Sequence, residues 1–351
     1  MRNKWVKAAA VTAAGASAFM ALGWSFFKMI VYCKKSEKKE LKKQWFTFAH
    51  MKINHPRNKF EQEYEDGKAW CRNQPMKDCY IKSDDGLILH AYYLPADDPK
   101  RVLLLSHGYK GSGFGDFAYT AEFLHDNGCS LFFIDQRCCG LSEGEYITFG
   151  AKEQYDVVKW TWYIHRINHN RLPVYLYGES MGAAAVLMSL KHKLPTEVKG
   201  VISDCAFSSM KEQLRNIASE WFHVKWIELL LFRVDIFCRI FGDFKMKDAD
   251  TTEALKVNRR PVLFFHGLKD TYVSPKNTEY NYRVCKAPKE IYMIPEARHL
   301  CSAYEQRDFY RGKLLKFFER YDIMSKGVDF VLARKINTFA NDHTEPPGDV
   351  I

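Results

Sequence analysis

Gly178-Glu179-Ser180-Met181-Gly182 follows a β-prone apolar run, Val174 to Tyr177, and precedes the small helix-favouring residues Ala183-Ala184-Ala185. Strand, tight turn and helix in that order form a nucleophile elbow, G-x-S-x-G. The serine takes a strained backbone conformation at the apex, and a Cβ at Gly178 or Gly182 would collide with the adjoining strand or helix. A serine hydroxyl is a weak nucleophile, so it needs a base within hydrogen-bond reach and a carboxylate to orient that base. Downstream, Asp270 follows an apolar run ending in His266-Gly267, and His299 follows the next such run. Ser180, Asp270 and His299 thus occur in the order nucleophile, acid, base. The chemistry open to them is acyl transfer through a covalent intermediate. Its transition state needs two N–H donors for the developing oxyanion. The expected donors are the backbone amides of Met181 and of Tyr109, in His107-Gly108-Tyr109-Lys110-Gly111. His107 and His266 read as structural hydrogen-bonding residues rather than bases.

Three such residues meet only if their strands end at one edge of a sheet. Buried-type strands are expected at Val102–Ser106, Leu131–Ile134, Val174–Tyr177, Val201–Ser203, Val262–Phe265 and Glu290–Ile294. An alternating hairpin, Asp78–Lys82 and Leu87–Leu94, precedes them around Ser83-Asp84-Asp85-Gly86. Helix-period stretches fall at Asp116–Asp126, Lys152–Ile167, Met181–Lys191, Asn277–Lys286 and Phe309–Tyr321. Strands alternating with helices predict an α/β class: a doubly wound, mostly parallel sheet over residues 77–322. Residues 208–260 break the alternation and are expected to form a helical cap. Within it Trp221–Phe241 is apolar around most of a helical wheel, with Lys225, Glu228, Asp235 and Arg239 on one stripe and Arg233 outside it. Such a helix buries its broad face against a core, an apolar ligand or a bilayer.

Residues 8–27 are uncharged and apolar, flanked by Arg2, Lys4 and Lys7 before and Lys28 after. Twenty helical residues span about 30 Å, the thickness of a hydrocarbon core. Residues 1–33 are therefore expected to be a single-pass membrane anchor, contacting the lipid bilayer through residues 5–33. A cleaved signal peptide is the competing reading. Six lysines between 34 and 43 put the following domain on the cytoplasmic side by the positive-inside rule. Residues 34–76 read as a charged helical linker and 323–351 as a polar C-terminal tail. The net charge of +10 owes much to that lysine run, and no nucleic-acid-binding signature accompanies it, so no nucleic-acid partner is expected. The ten scattered cysteines include no C-x-x-C pair, which fits free thiols better than a disulfide framework. No metal-ligand spacing is present, and neither metal nor cofactor is expected.

These pieces resemble the α/β-hydrolase superfamily across about residues 77–322. The match lies in His107-Gly108, Asp135-Gln136-Arg137-Cys138-Cys139-Gly140-Leu141-Ser142, Gly178-Glu179-Ser180-Met181-Gly182, Ser203-Asp204, His266-Gly267 with Asp270, and His299. The finer resemblance is to serine aminopeptidase-like or esterase-like hydrolases, many bacterial members of which carry an N-terminal hydrophobic anchor. That branch usually shows D-x-R-G-x-G-x-S, and this chain has Cys138 in the place of the first glycine. The expected activity is a serine hydrolase cleaving small apolar acyl esters. A peptidase, a thioesterase and an acyltransferase remain open on the same residues. The non-enzymatic alternative is a membrane-tethered module that binds lipid on a hydrolase fold.

Overall fold

The computed structural model describes residues 20–33, 59–169, 171–222 and 227–322. The expected linker between 34 and 58, the tail from 323 and the first nineteen residues lie outside the described residues.

Helix α1 covers residues 20–30, and helix α2 (Glu61–Asn73) leads into the hairpin β1 (Lys77–Lys82) and β2 (Ile88–Leu94). Then come β3 (Arg101–Ser106), the short helices α3 (Gly113–Asp116) and α4 (Ala121–Asp126), and β4 (Cys129–Ile134). Helix α5 (Glu153–Ile167), β5 (Val174–Glu179), α6 (Met181–Ser189) and β6 (Val198–Asp204) continue the alternation. Helices α7 (Met210–Phe222) and α8 (Ile227–Phe241) interrupt it, and α9 (Thr252–Val257) and β7 (Val262–Gly267) restore it. The chain closes with α10 (Lys276–Val284), β8 (Lys289–Ile294), α11 (Ser302–Glu305) and α12 (Arg307–Asp322).

One eight-stranded sheet carries the order β1-β2-β4-β3-β5-β6-β7-β8. The first two strands pair antiparallel, β2 pairs antiparallel with β4, and β4 through β8 are parallel. Every residue of β3, β4 and β5 is buried. Their continuous apolar runs serve two cores, because successive side chains leave a strand on opposite faces. Val102 and Leu104 join one cluster with Trp160 of α5, Ala184 of α6 and Leu255 of α9. Leu103 and Leu105 join the other with Leu124 of α4, Leu314 and Phe317 of α12 and Cys71 of α2. Each such side chain contributes about 1.5–3 kcal/mol by leaving water. The structure also splits the stretch expected as one helix at 116–126. A turn at 117–120 separates α3 from α4, and Asp116, at the break, turns its carboxylate onto the Gly108 N–H at 2.6 Å.

Two further sequence expectations change. The apolar stretch expected as one helix over 221–241 is two, with α7 ending at Phe222 and α8 starting at Ile227. The membrane span is not supported: among the described residues no helix is long and apolar enough to cross a membrane. Residues 20–33 instead dock on the rest of the chain. Phe27 and Val31 are fully buried in the same cluster as α5 and α6. Trp24 packs on Phe237 and Phe241 of α8, with ring centroids 5.3 and 4.9 Å apart. The Cys33 N–H donates to Glu145 O at 2.7 Å. Side chains committed to a protein core in this way are not available to hydrocarbon.

Candidate active site

Strand β5 ends at Glu179, and Ser180 turns the chain into α6 with φ 54° and ψ −117°. This is costly backbone for a residue with a Cβ, of order 1–3 kcal/mol, and persists only where the surroundings impose it. They do so by close approach. A Cβ on Gly182 would stand 1.9 Å from Ser106 O, and one on Gly178 would stand 2.4 Å from Gly182 O. The Ser180 N–H donates to Asp204 O at the end of β6, 2.9 Å away, which pins the turn to the neighbouring strand.

Asp270 lies just past β7 and His299 just past β8, so all three side chains emerge at the C-terminal edge of the parallel sheet. His299 Nε2 is 3.0 Å from Ser180 Oγ, and His299 Nδ1 is 2.7 Å from Asp270 Oδ2. With Nδ1–H donating to the carboxylate, Nε2 is left as the acceptor for the serine proton. All three residues are buried. The other carboxylate oxygen, Asp270 Oδ1, accepts the backbone N–H groups of Tyr272 and Val273 at 2.8 and 2.9 Å. Burial by itself would raise the Asp270 carboxyl, but the charge of His299 and the hydrogen bonds of His266 and His299 outweigh it. They hold the group well below the usual carboxylate range.

The loop after β3 closes the other side. Gly108 lies against Ser180, since a Cβ there would stand 3.2 Å from the serine Cβ. Tyr109, the expected second oxyanion donor, is the next residue of this loop. Met181 is the first residue of α6, where helix geometry leaves an N–H without an intrahelical acceptor. His107 is fully buried. Its Nδ1–H donates to Gly108 O at 2.8 Å and its Nε2 accepts from the Gln136 N–H at 3.2 Å, a structural role. His266 bonds Thr278 Oγ1 and Val273 O, and its Nε2 also lies 3.2 Å from Asp270 Oδ2.

Two further carboxylates support the site. Asp116 holds the Gly108 amide from eight residues along the chain. Asp204, buried at the end of β6, accepts Ser302 Oγ–H at 3.1 Å and Tyr310 Oη–H at 2.9 Å. Ser302 stands three residues past His299, so this carboxylate holds the loop that carries the base. Asp135 braces the loop 135–142. Asp135 Oδ2 accepts the Leu141 N–H and bonds His90 Nδ1, both at 2.8 Å. Cys138 itself adopts φ 67°, a conformation that glycine takes without strain.

Aromatic rings pack on the base and on the loop after β3. Tyr272 meets the His299 ring edge-on with centroids 4.9 Å apart, and Tyr109 stacks on Phe149 at 5.3 Å. Tyr109 Oη–H donates to Ile30 O at 2.8 Å, so the end of α1 rests on the loop beside Ser180. One cluster among the described residues could offer metal donors: Cys205, Asp270 and His299, whose donor atoms lie within 4.8 Å of one another. Two of the three are already committed to each other, and burial pushes the Cys205 thiol well above its ordinary range.

A family model described as "Serine aminopeptidase, S33" matches residues 97–236. The Bacillus subtilis (strain 168) protein YqkD, itself uncharacterised, is 25% identical over 304 residues, covering 86% of this chain and 94% of that protein. Among solved structures, the Pyrococcus furiosus esterase Pf2001 aligns over 71% of this chain and 92% of its own, with TM-score 0.58 and 18% identity. The acylaminoacyl peptidase of Pyrococcus horikoshii aligns over 72% of this chain and 43% of its own, with TM-score 0.56 and 16% identity. The likeness to these structures gives the chain the α/β-hydrolase fold, and residues 97–236 are similar to the serine aminopeptidase family.

Proposed function

We propose that the chain is a serine hydrolase acting on apolar acyl esters. The observation that carries this reading is the continuous relay Ser180 Oγ, His299 Nε2, His299 Nδ1, Asp270 Oδ2 at 3.0 and 2.7 Å. Ser180 Oγ attacks the acyl carbon while His299 Nε2 takes its proton, and Asp270 stabilises the resulting imidazolium. The carbonyl oxygen, now an oxyanion, is met by the Tyr109 and Met181 amides. As the tetrahedral intermediate collapses, the ester C–O bond breaks and His299 returns the proton to the leaving alcohol. Water, deprotonated by the same histidine, then attacks the acyl-enzyme and releases the carboxylic acid with Ser180 restored.

The aromatic rings of Tyr272, against His299, and of Tyr109 and Phe149, on the neighbouring loops, favour an apolar acyl group over a charged one. A peptidase is the second reading, favoured by the description of the matched family and by one of the structural neighbours. A fluorophosphonate probe tests the mechanism: labelling of the wild type and none of Ser180→Ala is expected. A folded wild type that takes no label would overturn it. A chain-length series of acyl esters beside aminoacyl amides tests the bond. Faster turnover of the esters is expected, and faster turnover of the amides would establish the peptidase.

A further inference from the structure

Helix α8 buries Leu231, Val234 and Cys238, yet Leu229, Phe232 and Ile240 stand 44, 63 and 65% exposed. With Ile236 these side chains fall within roughly 80° on a helix at 100° per residue, so they form one stripe. Helix α1 runs beside it. Gly23 sits directly on Arg233, where an added Cβ would come within 2.6 Å of the arginine Cβ. Arg233, off the charged stripe of α8, is only 5% exposed. The residues next to the contact on both helices, Leu22 and Phe232, are exposed. Leu22, Leu229, Phe232 and Ile240, each baring on the order of 100 Å², amount to roughly 400 Å², which is within the range of the largest patch on a monomeric protein.

We infer that this α1–α8 face docks on the surface of an anionic lipid bilayer. Two features of the chain choose the occupant. The residues leading into Met20 in the sequence, from Ala8 to Phe19, are uncharged and almost wholly apolar. Along the sequence the charge flanking this apolar run is predominantly positive, with Arg2, Lys4 and Lys7 before it and six lysines against two glutamates between 34 and 43 after it, while Glu228, Asp235 and Arg239 share a cavity wall with Phe232 on α8. Each cation held near an anionic membrane adds about 1 kcal/mol to association. The arrangement also joins bilayer and active site. About 15 Å of helix separates Met20 from Ile30, whose carbonyl holds Tyr109 beside the nucleophile. An apolar ester leaving the bilayer at one end of α1 would reach the catalytic serine near the other. The docking itself does not depend on the hydrolase reading.

The test uses the full chain with Cys33→Ser, since the other nine thiols are buried. A single environment-sensitive NBD label is placed through Phe232→Cys, Ile240→Cys or, as control, Tyr80→Cys on β1. Vesicles of phosphatidylcholine and phosphatidylglycerol should shift the 232 and 240 labels to the blue and leave the control unchanged. Brominated acyl chains should quench the two shifted labels at least twofold. Labels at 232 and 240 that stay aqueous on vesicle-bound protein would overturn the proposal, as would a chain that does not bind the vesicles. A blue shift without vesicles would also overturn it. If it depends on protein concentration, a second copy occupies the face; if not, this chain's own first residues do. Fluorophosphonate labelling of the same samples separates this outcome from the fate of the hydrolase reading.

Discussion

Ser180 and Asp204 are joined by a 2.9 Å hydrogen bond from the serine amide to the aspartate carbonyl, and the side chain of Asp204 holds the loop that delivers His299. One residue at the end of β6 thereby sets the position of nucleophile and base together. Its carboxylate is fully enclosed, and burial raises its pKa against the hydrogen bonds of Tyr310 and Ser302. The bonds it accepts connect onward, since Tyr310 Oη lies 2.6 Å from Tyr177 Oη.

Asp204→Asn keeps the volume but presents an amide N–H₂ to a site built to accept two hydroxyl protons. The expected result is a kcat about tenfold lower, equivalent to about 1.4 kcal/mol, with KM changed less than twofold. Steady-state kinetics on a soluble acyl ester, with thermal unfolding of the same sample, checks this. A loss of stability with kcat intact would assign Asp204 to the core alone.

Asp270→Asn retains an oxygen for the Tyr272 and Val273 amides, so the loop should hold its place. What fails is the tautomer: the amide N–H₂ faces His299 Nδ1 and leaves Nε2 carrying the proton it should accept. A fall in kcat of about 10³–10⁴ is expected, with a normal melting curve. A loss below tenfold would mean that His266, on the same carboxylate oxygen at 3.2 Å, does not leave the acid as indispensable as the geometry indicates.

Acid should destabilise the fold through two depressed carboxyls. Asp270 is buried, yet the charge and hydrogen bonds of His299 and the hydrogen bond of His266 hold it down. Asp85 is partly buried, and hydrogen bonds from Arg137 and Ser83 hold it down. For a group whose folded pKa lies below its unfolded value of ~3.9, the stabilisation is complete above that value and is lost as pH falls towards the folded pKa. Melting temperatures should be level down to about pH 5 and fall steeply below about pH 4. Asp85→Asn should flatten part of that decline. An unchanged acid limb in both Asp85→Asn and Asp270→Asn would place the acid lability elsewhere.

Gly182→Ala should fail to fold at the elbow. Its Cβ would stand 1.9 Å from a main-chain oxygen of β3, and no side-chain rotation relieves a clash between backbones. Destabilisation of about 3 kcal/mol or more is expected, read as a lowered denaturation midpoint. Cys138→Gly sets two effects of about 1 kcal/mol against each other, relief of the positive φ and loss of a buried thiol. Its midpoint should stay within about 1 kcal/mol of the parent.

Periodicity and local chemistry made the sheet readable. Apolar runs of strand length bounded by glycine, proline and polar turns mark the parallel strands, alternation marks the hairpin, and the glycines at 178 and 182 mark the elbow turn. Because each strand of the parallel part ends at the same edge, chain order alone placed Ser180, Asp270 and His299 together before any distance was known. The helix boundaries at 116–126 and 221–241 were less legible. Helical period persists through a break when the break is made by a contact such as Asp116 with Gly108 rather than by a proline.

Tertiary structure decided the rest, and the separations along the chain give the reason. Ser302 and Asp204 are 98 residues apart, and Tyr109 and Ile30 are 79 apart. No local pattern records such pairings. The N-terminal segment shows this most directly. Twenty apolar residues satisfy the hydropathy of a membrane span, but hydropathy measures only the preference to leave water. Whether Gly23, Phe27 and Val31 leave it for hydrocarbon or for the side chains of α8 and the α5–α6 core depends on surfaces that exist only after folding.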